Sequence, residues 1–145
     1  MRSPEVFEAR SEADLAACIA LRHAVFCVEQ GVSEADEQDG RDGEARHLLA
    51  RIGEAPAGTL RMRILGDAAK LERVCVARSA RGTGLGAALT HAAMDMARSL
   101  PGVSQVKLSA QVDVIAFYER LGFAAHGDAY VDAGILHRDM SRALD

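Results

Sequence analysis

The stretch Leu71-Glu-Arg-Val-Cys-Val-Ala-Arg-Ser-Ala-Arg-Gly-Thr-Gly-Leu-Gly-Ala-Ala-Leu-Thr-His-Ala-Ala-Met-Asp-Met-Ala97 decides the fold. It reads as a short apolar strand, a turn holding Gly82, Gly84 and Gly86, and a long helix. After the glycines, Leu85, Ala88, Leu89, Ala92, Ala93, Met96 and Leu100 recur at the spacing of one helical face. That face must lie on a sheet, and its alanines allow a close approach. A glycine-rich turn at a helix start leaves backbone N–H groups without partners, and the helix dipole adds partial positive charge there. Glycine also removes the Cβ atoms that would hold a ligand away. The turn therefore predicts a seat for phosphate oxygens. The plainer alternative is a tight strand-to-helix turn with no ligand.

Outward from this unit, the chain reads as one domain. Its 145 residues suffice for a full core, and 49% hydrophobic with 26% charged residues is a soluble, globular balance. No apolar run is long enough to cross a membrane, and Met1-Arg-Ser-Pro-Glu5 lacks the apolar region of a secretion signal. A net charge of −4 without a long basic block argues against a nucleic-acid binder. Cys18, Cys27 and Cys75 are odd in number and lack metal-ligand spacing. They read as reduced, buried thiols of a cytoplasmic protein with no bound metal.

Upstream, Val6 to Ala9 is a short strand, and Ser11 caps a helix from about Glu12 to Val25. Arg22 lies beside that helix's apolar stripe and is expected to snorkel to solvent. Val28 to Gly31 suggests a second short helix. Ser33 to Glu44 is strongly acidic with no apolar period, so it reads as a solvated loop or a rim that attracts a cation. Its spacing does not fit a calcium-binding EF-hand. Arg46 to Ile52 and Ala57 to Leu65 form a hairpin around Gly53-Glu-Ala-Pro56, and Lys70 to Val76 continues the meander. Leu60, Met62 and Ile64 fall on one face of the second strand, with Thr59, Arg61 and Arg63 on the other. Downstream, Val103 to Ala110 is a strand that must return parallel after the long helix. Asp113 can cap a helix with Val114, Phe117, Tyr118 and Leu121 inward, ended by Gly122. Phe123-Ala-Ala and Ile135 to Met140 read as a closing antiparallel pair.

Arg81-Gly-Thr-Gly84-Leu-Gly86 and, further on, Phe117-Tyr-Glu-Arg-Leu-Gly-Phe123 together resemble the two motifs of the GNAT N-acetyltransferase superfamily, in its order and separation. The segments Leu21 to Gly31, Arg63 to Leu65 and Gly134 to Met140 are similar to the ElaA-like branch. The resemblance spans nearly the whole chain. It implies an α+β fold with a mostly antiparallel mixed sheet of six to seven strands, a splayed parallel pair and about four flanking helices. It also implies acetyl-CoA as cosubstrate and transfer of the acetyl group to a primary amine of a small molecule or a peptide. The cofactor would meet the turn at Arg81, Gly82, Thr83, Gly84, Leu85, Gly86 and Ala87, the backbone of Val74, Cys75 and Val76, and Gln111, where the family commonly has Asn. An oxyanion would be stabilised by the N–H of Cys75 or Val76. Tyr118 stands at the family's general-acid position; a phenol near pKa ~10 can protonate a departing thiolate near ~8.5 with modest tuning.

The base that deprotonates the amine, directly or through water, has as candidates Glu72, which strict alternation puts on the same face as Val74 and Val76, together with His47, His137 and Glu29. Glu29 lies in the branch-specific segment, and Arg22, Phe26, Glu29 and Arg63 are candidates for the acceptor side. Cys75 as an acyl-carrying nucleophile has no partner base in the sequence. Gly82-x-Gly84-x-x-Ala87 also satisfies the dinucleotide pattern, but some eighty residues of antiparallel pattern precede it, which argues against NAD. Acyl-homoserine-lactone synthesis and a non-catalytic acetyl-CoA sensor are the other readings. The sequence leaves a homodimer open.

Overall fold

The computed structural model describes residues 4–145; the opening Met1-Arg-Ser, read above for a leader, lies outside them. Seven strands form one sheet in the order β1-β2-β3-β4-β5-β7-β6. They are β1 Pro4–Ala9, β2 Arg46–Ile52, β3 Ala55–Leu65, β4 Ala68–Val76, β5 Gln105–Gln111, β6 Ala124–Asp132 and β7 Ile135–Ala143. Every neighbouring pair is antiparallel except β4 and β5. The helices are α1 Glu12–Arg22, α2 Glu34–Glu37, α3 Leu85–Arg98 and α4 Ile115–Arg120. This is the α+β architecture expected, with α1 packed over β1 to β4 on one face and α3 and α4 on the other.

The main core lies between the sheet and α3. Leu60, Met62, Leu71 and Met140 point into it from the strands, and Leu85, Leu89 and Met94 from the helix. Each such side chain contributes on the order of 1.5–3 kcal/mol by leaving water. The helix sits close because β3 offers Gly58 beneath it. A Cβ there would lie 2.9 Å from Leu89 Cδ1 and 3.1 Å from the Cys75 carbonyl oxygen. Gly58→Ala should therefore lower stability by about 1–2 kcal/mol in urea denaturation, because the backbone oxygen cannot move aside.

Several boundaries differ from the sequence expectation, each for a local reason. Helix α1 ends at Arg22 and the chain continues as a π-helical segment, His23–Glu29, so no separate helix forms at Val28 to Gly31. Pro56 lies inside β3 beside a bulge at Ala50 and Arg51, and the turn shrinks to Gly53-Glu54. Asp113 does not cap α4. A single 3-10 turn, Val112–Val114, intervenes, and the helix starts without a side-chain cap. Ser11 does cap α1, accepting from the Asp14 N–H at 3.1 Å.

Candidate active site

The site begins with a defect in the sheet. β4 and β5 pair only from Ala68–Gln105 to Leu71–Leu108, and beyond that point they part. The cause is on the other side of β4. Between the pairs Arg61–Glu72 and Thr59–Cys75, two residues, Arg73 and Val74, oppose Leu60 alone. This is a β-bulge, and Arg73 takes a φ of +54° to make it. The bulge turns the strand away from β5. It also reverses the alternation of side chains. Glu72 shares the α1 face with Arg61, while Val74 and Val76 pack against the α3 core. The expectation that Glu72 shares a face with Val74 and Val76 is thus corrected.

The bulge also decides which amides are free. The Ala77 N–H bonds to the Ala57 carbonyl at 2.8 Å, so it faces β3. Alternation along the extended chain turns the Val76 and Val74 N–H groups toward the gap and the Cys75 N–H toward β3. The Val76 carbonyl agrees, since it accepts from Arg81 Nε at 3.1 Å on the side away from β3. Of the two oxyanion donors considered, Val76 is the one that faces the opening.

At the end of β4 the chain makes a 3-10 turn, Arg78–Ala80, and enters the glycine turn. Gly84 caps α3 with φ +82°, a conformation other residues adopt only under strain. No side chain caps this helix, and the first backbone bond of α3 runs from Ala88 N–H to Gly84 at 3.1 Å. The N–H groups of Gly82 through Ala87 have no backbone acceptor among the described residues. A Cβ at Gly82 or Gly84 would meet nothing within 4 Å, so the turn faces open space. Six unpaired donors with a helix dipole behind them suit an anion with several oxygens.

A cleft of about 610 Å³ joins the turn to the gap. Tyr118 and His137 both line it, from opposite faces of the sheet. Tyr118 on α4 belongs to the α3-side core, edge-on to Phe117 (centroids 4.9 Å apart) and Phe123 (5.9 Å). Its hydroxyl has no hydrogen-bond partner among the described residues, and burial pushes its pKa up to about 12. On β7, Met140 enters the same core, so His137, three residues earlier, faces the α1 side. The His137 ring stacks on Tyr130 at 6.3 Å, and its Nδ1 lies 2.7 Å from the Ile135 carbonyl oxygen. A carbonyl only accepts, so Nδ1 carries the hydrogen and Nε2 keeps its lone pair in the neutral ring. Tyr130 in turn donates to Asp139 at 2.6 Å and meets the Ser109 hydroxyl, which braces the stack.

A family model for the acetyltransferase (GNAT) domain matches residues 8–144. This chain belongs to the GNAT acetyltransferase family. A Bacillus subtilis protein named as an acetyltransferase is 38% identical over 138 residues, covering 93% of each chain. Among solved structures, an acyl-CoA N-acyltransferase from Pseudomonas aeruginosa is 33% identical with a TM-score of 0.87, covering 97% of this chain and 100% of that one. Escherichia coli ElaA is 28% identical with a TM-score of 0.86, covering 97% and 99%. The chain is therefore an acyltransferase of the GNAT type, similar to ElaA, from a family that uses acetyl-CoA.

In this GNAT domain the other candidates divide. Phe26, Glu29, Glu72 and Gln111 line the cleft; His47, Arg22 and Arg63 do not. His47 sits under α1 beside Leu15, Ile19, Asp42 and Gly43, with Nε2 3.0 Å from the Asp42 carbonyl oxygen. Glu72 is spoken for: Arg63 Nε donates to its Oε1, and Arg61 lies 3.3 Å from its Oε2. Burial pushes the Glu72 pKa up, but the Arg63 hydrogen bond and both arginine charges outweigh it, leaving it below the ordinary value. Cys75 is held as a thiol, since burial pushes its pKa up to about 12. That removes it as a nucleophile.

Arg22 does not snorkel. It is 1% exposed and binds Glu37 through two bonds, Nε–Oε1 at 2.7 Å and Nη2–Oε2 at 3.0 Å, and Asp42 through Nη1 at 2.8 Å. Arg61, fully buried, holds Asp39 through two bonds of 2.8 Å and Asp42 at 3.0 Å. Arg73 reaches the carbonyls of Asp36 and Glu37 from the bulge, each at 3.2 Å. The acidic segment is therefore clamped onto the α1 face, where Asp36 and Glu37 close one wall of the cleft. Ser109 and Gln30 also line it, unflagged by the sequence. Ser109 could have been found from period two on β5, which puts it on the face of Gln111. Among the described residues no helix is long and apolar enough to cross a membrane, and no group of side chains is placed to hold a metal ion.

Proposed function

We propose that this GNAT protein transfers the acetyl group of acetyl-CoA to a primary amine by direct attack, with both substrates bound together. The observation that carries this is the gap between β4 and β5. It connects the two faces of the sheet, with Tyr118 on one side and His137 on the other. The pyrophosphate would sit on the N–H groups of Gly82 to Ala87, with the Arg81 side chain beside it. The pantetheine arm would pair with the Val74 and Val76 backbone, as an added strand does at an open edge. The Val76 N–H would donate to the thioester carbonyl oxygen as negative charge develops there.

His137 would take the amine proton through Nε2, since its tautomer is set by Ile135 and its ring by Tyr130. Glu72 is unsuited, because its lone pairs already serve Arg61 and Arg63. Tyr118 would return a proton to the departing sulfur. Asp36 on the cleft wall would favour an acceptor that carries positive charge, whereas the charge of Glu37 is already taken by Arg22.

Release of free thiol from acetyl-CoA, followed with a panel of primary amines and with mass spectra of the products, tests this function. Amine-dependent release with an acetylated product supports it. Binding without turnover, unaltered by Tyr118→Phe, supports a sensor instead, and a lactone product supports the homoserine-lactone alternative. His137→Asn should lower kcat/KM for the best amine by about 10²-fold, while Glu72→Gln should change it less.

A further inference from the structure

Two adjacent residues at the end of the π-helical segment occupy both long polar side chains that the cofactor would use. Glu29 holds Arg81, with Nη2 donating to Oε1 and Nη1 facing Oε2, each at 2.9 Å. Gln30 holds Gln111 in a reciprocal amide pair. Gln111 Nε2 donates to Gln30 Oε1 at 3.0 Å, and Gln30 Nε2 donates back at 3.4 Å. The strap crosses the cleft that all four residues line.

A guanidinium offers two edges for a bidentate acceptor. On Arg81, Glu29 fills the edge between the two Nη atoms. The other edge is engaged by the Val76 carbonyl at Nε. A phosphate has the charge sign and the paired oxygens of the carboxylate that is already there. The two cannot occupy one edge together, and side by side they repel. Glu29 has one more cation nearby, the exposed Arg78, at 3.8 Å.

We propose that Glu29 is an exchangeable occupant of the phosphate seat: it holds Arg81 until the cofactor's phosphate displaces it, and its released carboxylate then faces the cleft as a contact for a cationic amine. This rests on the acetyl-CoA reading above. Glu29 closes the π-helical segment His23–Glu29, and π-helical turns are frequent at functional sites.

The test is calorimetric titration of acetyl-CoA into the wild-type protein, Glu29→Gln, Arg81→Ala and the double variant, joined to amine kinetics. Glu29→Gln should bind acetyl-CoA about fivefold more tightly, because an exposed ion pair of modest strength no longer competes. In the Arg81→Ala background the same change should alter binding less than about twofold, since the competed group is gone. The KM for the amine should rise about threefold in Glu29→Gln, opposite in sign to the cofactor effect. A role confined to folding would not move the two substrates in opposite directions. Equal binding by wild type and Glu29→Gln, or a gain that persists undiminished without Arg81, overturns the exchange and leaves the acetyltransferase reading intact. Absence of acetyl-CoA binding by the wild-type protein overturns both.

Discussion

Tyr118→Phe is expected to lower kcat by about 10³-fold while the acetyl-CoA dissociation constant stays within about twofold. The substitution removes one hydroxyl and keeps the ring. That ring packs edge-on between Phe117 and Phe123, so the core barely changes. The hydroxyl makes no hydrogen bond among the described residues, so no structural partner is left unsatisfied. What disappears is the proton donor for the leaving sulfur. Burial pushes the Tyr118 pKa up to about 12, against an ordinary value of ~10. The same burial disfavours a bare thiolate, so the gap between donor and leaving group does not widen by the full shift. The acid form is the form present below the pKa. Tyr118 therefore stays protonated through pH 10, and kcat should show no basic limb up to that pH. A limb centred near pH 10 that vanishes in Tyr118→Phe would show a tyrosine of ordinary acidity and contradict the buried donor.

Arg22→Ala is expected to lower stability by about 3–5 kcal/mol, enough to unfold much of the protein near its working temperature. Arg22 is 1% exposed, and Glu37, which it holds, is 3% exposed. Deleting the guanidinium leaves a buried carboxylate without its cation, and that uncompensated charge is the main cost. Arg22→Met should cost less when paired with Glu37→Gln, because both charges then leave together. Chemical denaturation of the single and double variants measures the difference. Acid should act on the same network. The Arg61 hydrogen bonds hold the Asp39 pKa below its ordinary value. Burial pushes the Asp42 carboxyl up, but bonds from Arg22 and Arg61 bring it below its ordinary value too. Groups with folded pKa values below the unfolded ones stabilise the fold above about pH 4 and lose that contribution as pH falls. The acidic segment should therefore gain protease sensitivity below pH 4 while α3 stays protected.

The glycine turn into the long helix, the antiparallel meander before it and the inward placement of Tyr118 were legible because each rests on local chemistry. Gly84 is needed where φ is +82°, and the spacing of Leu85, Leu89 and Ala93 marks the face that enters the core. Arg22 was misread because a snorkelling arginine and a buried, paired one share the same position on a helix. The difference lies in Glu37 and Asp42, fifteen and twenty residues away. The acidic segment was misread for the same reason in reverse. Its carboxylates have their cations on β3, β4 and α1. Glu72 was put on the wrong face because the bulge uses Arg73, and neither Gly nor Pro marks it. His47 and His137 both lie on strands and could not be separated by pattern. Strand register separated them, placing His47 opposite Arg61 under α1 and His137 opposite Gln111 at the cleft.

The central claim is that the glycine turn and the open edge of β4 together seat acetyl-CoA. Calorimetric titration of acetyl-CoA into the wild-type protein and into Gly84→Val tests it most directly. Saturable binding with one site per chain, weakened at least tenfold in a folded Gly84→Val, is the expected result. Wild-type binding that is absent, or equal in a folded Gly84→Val, would contradict it.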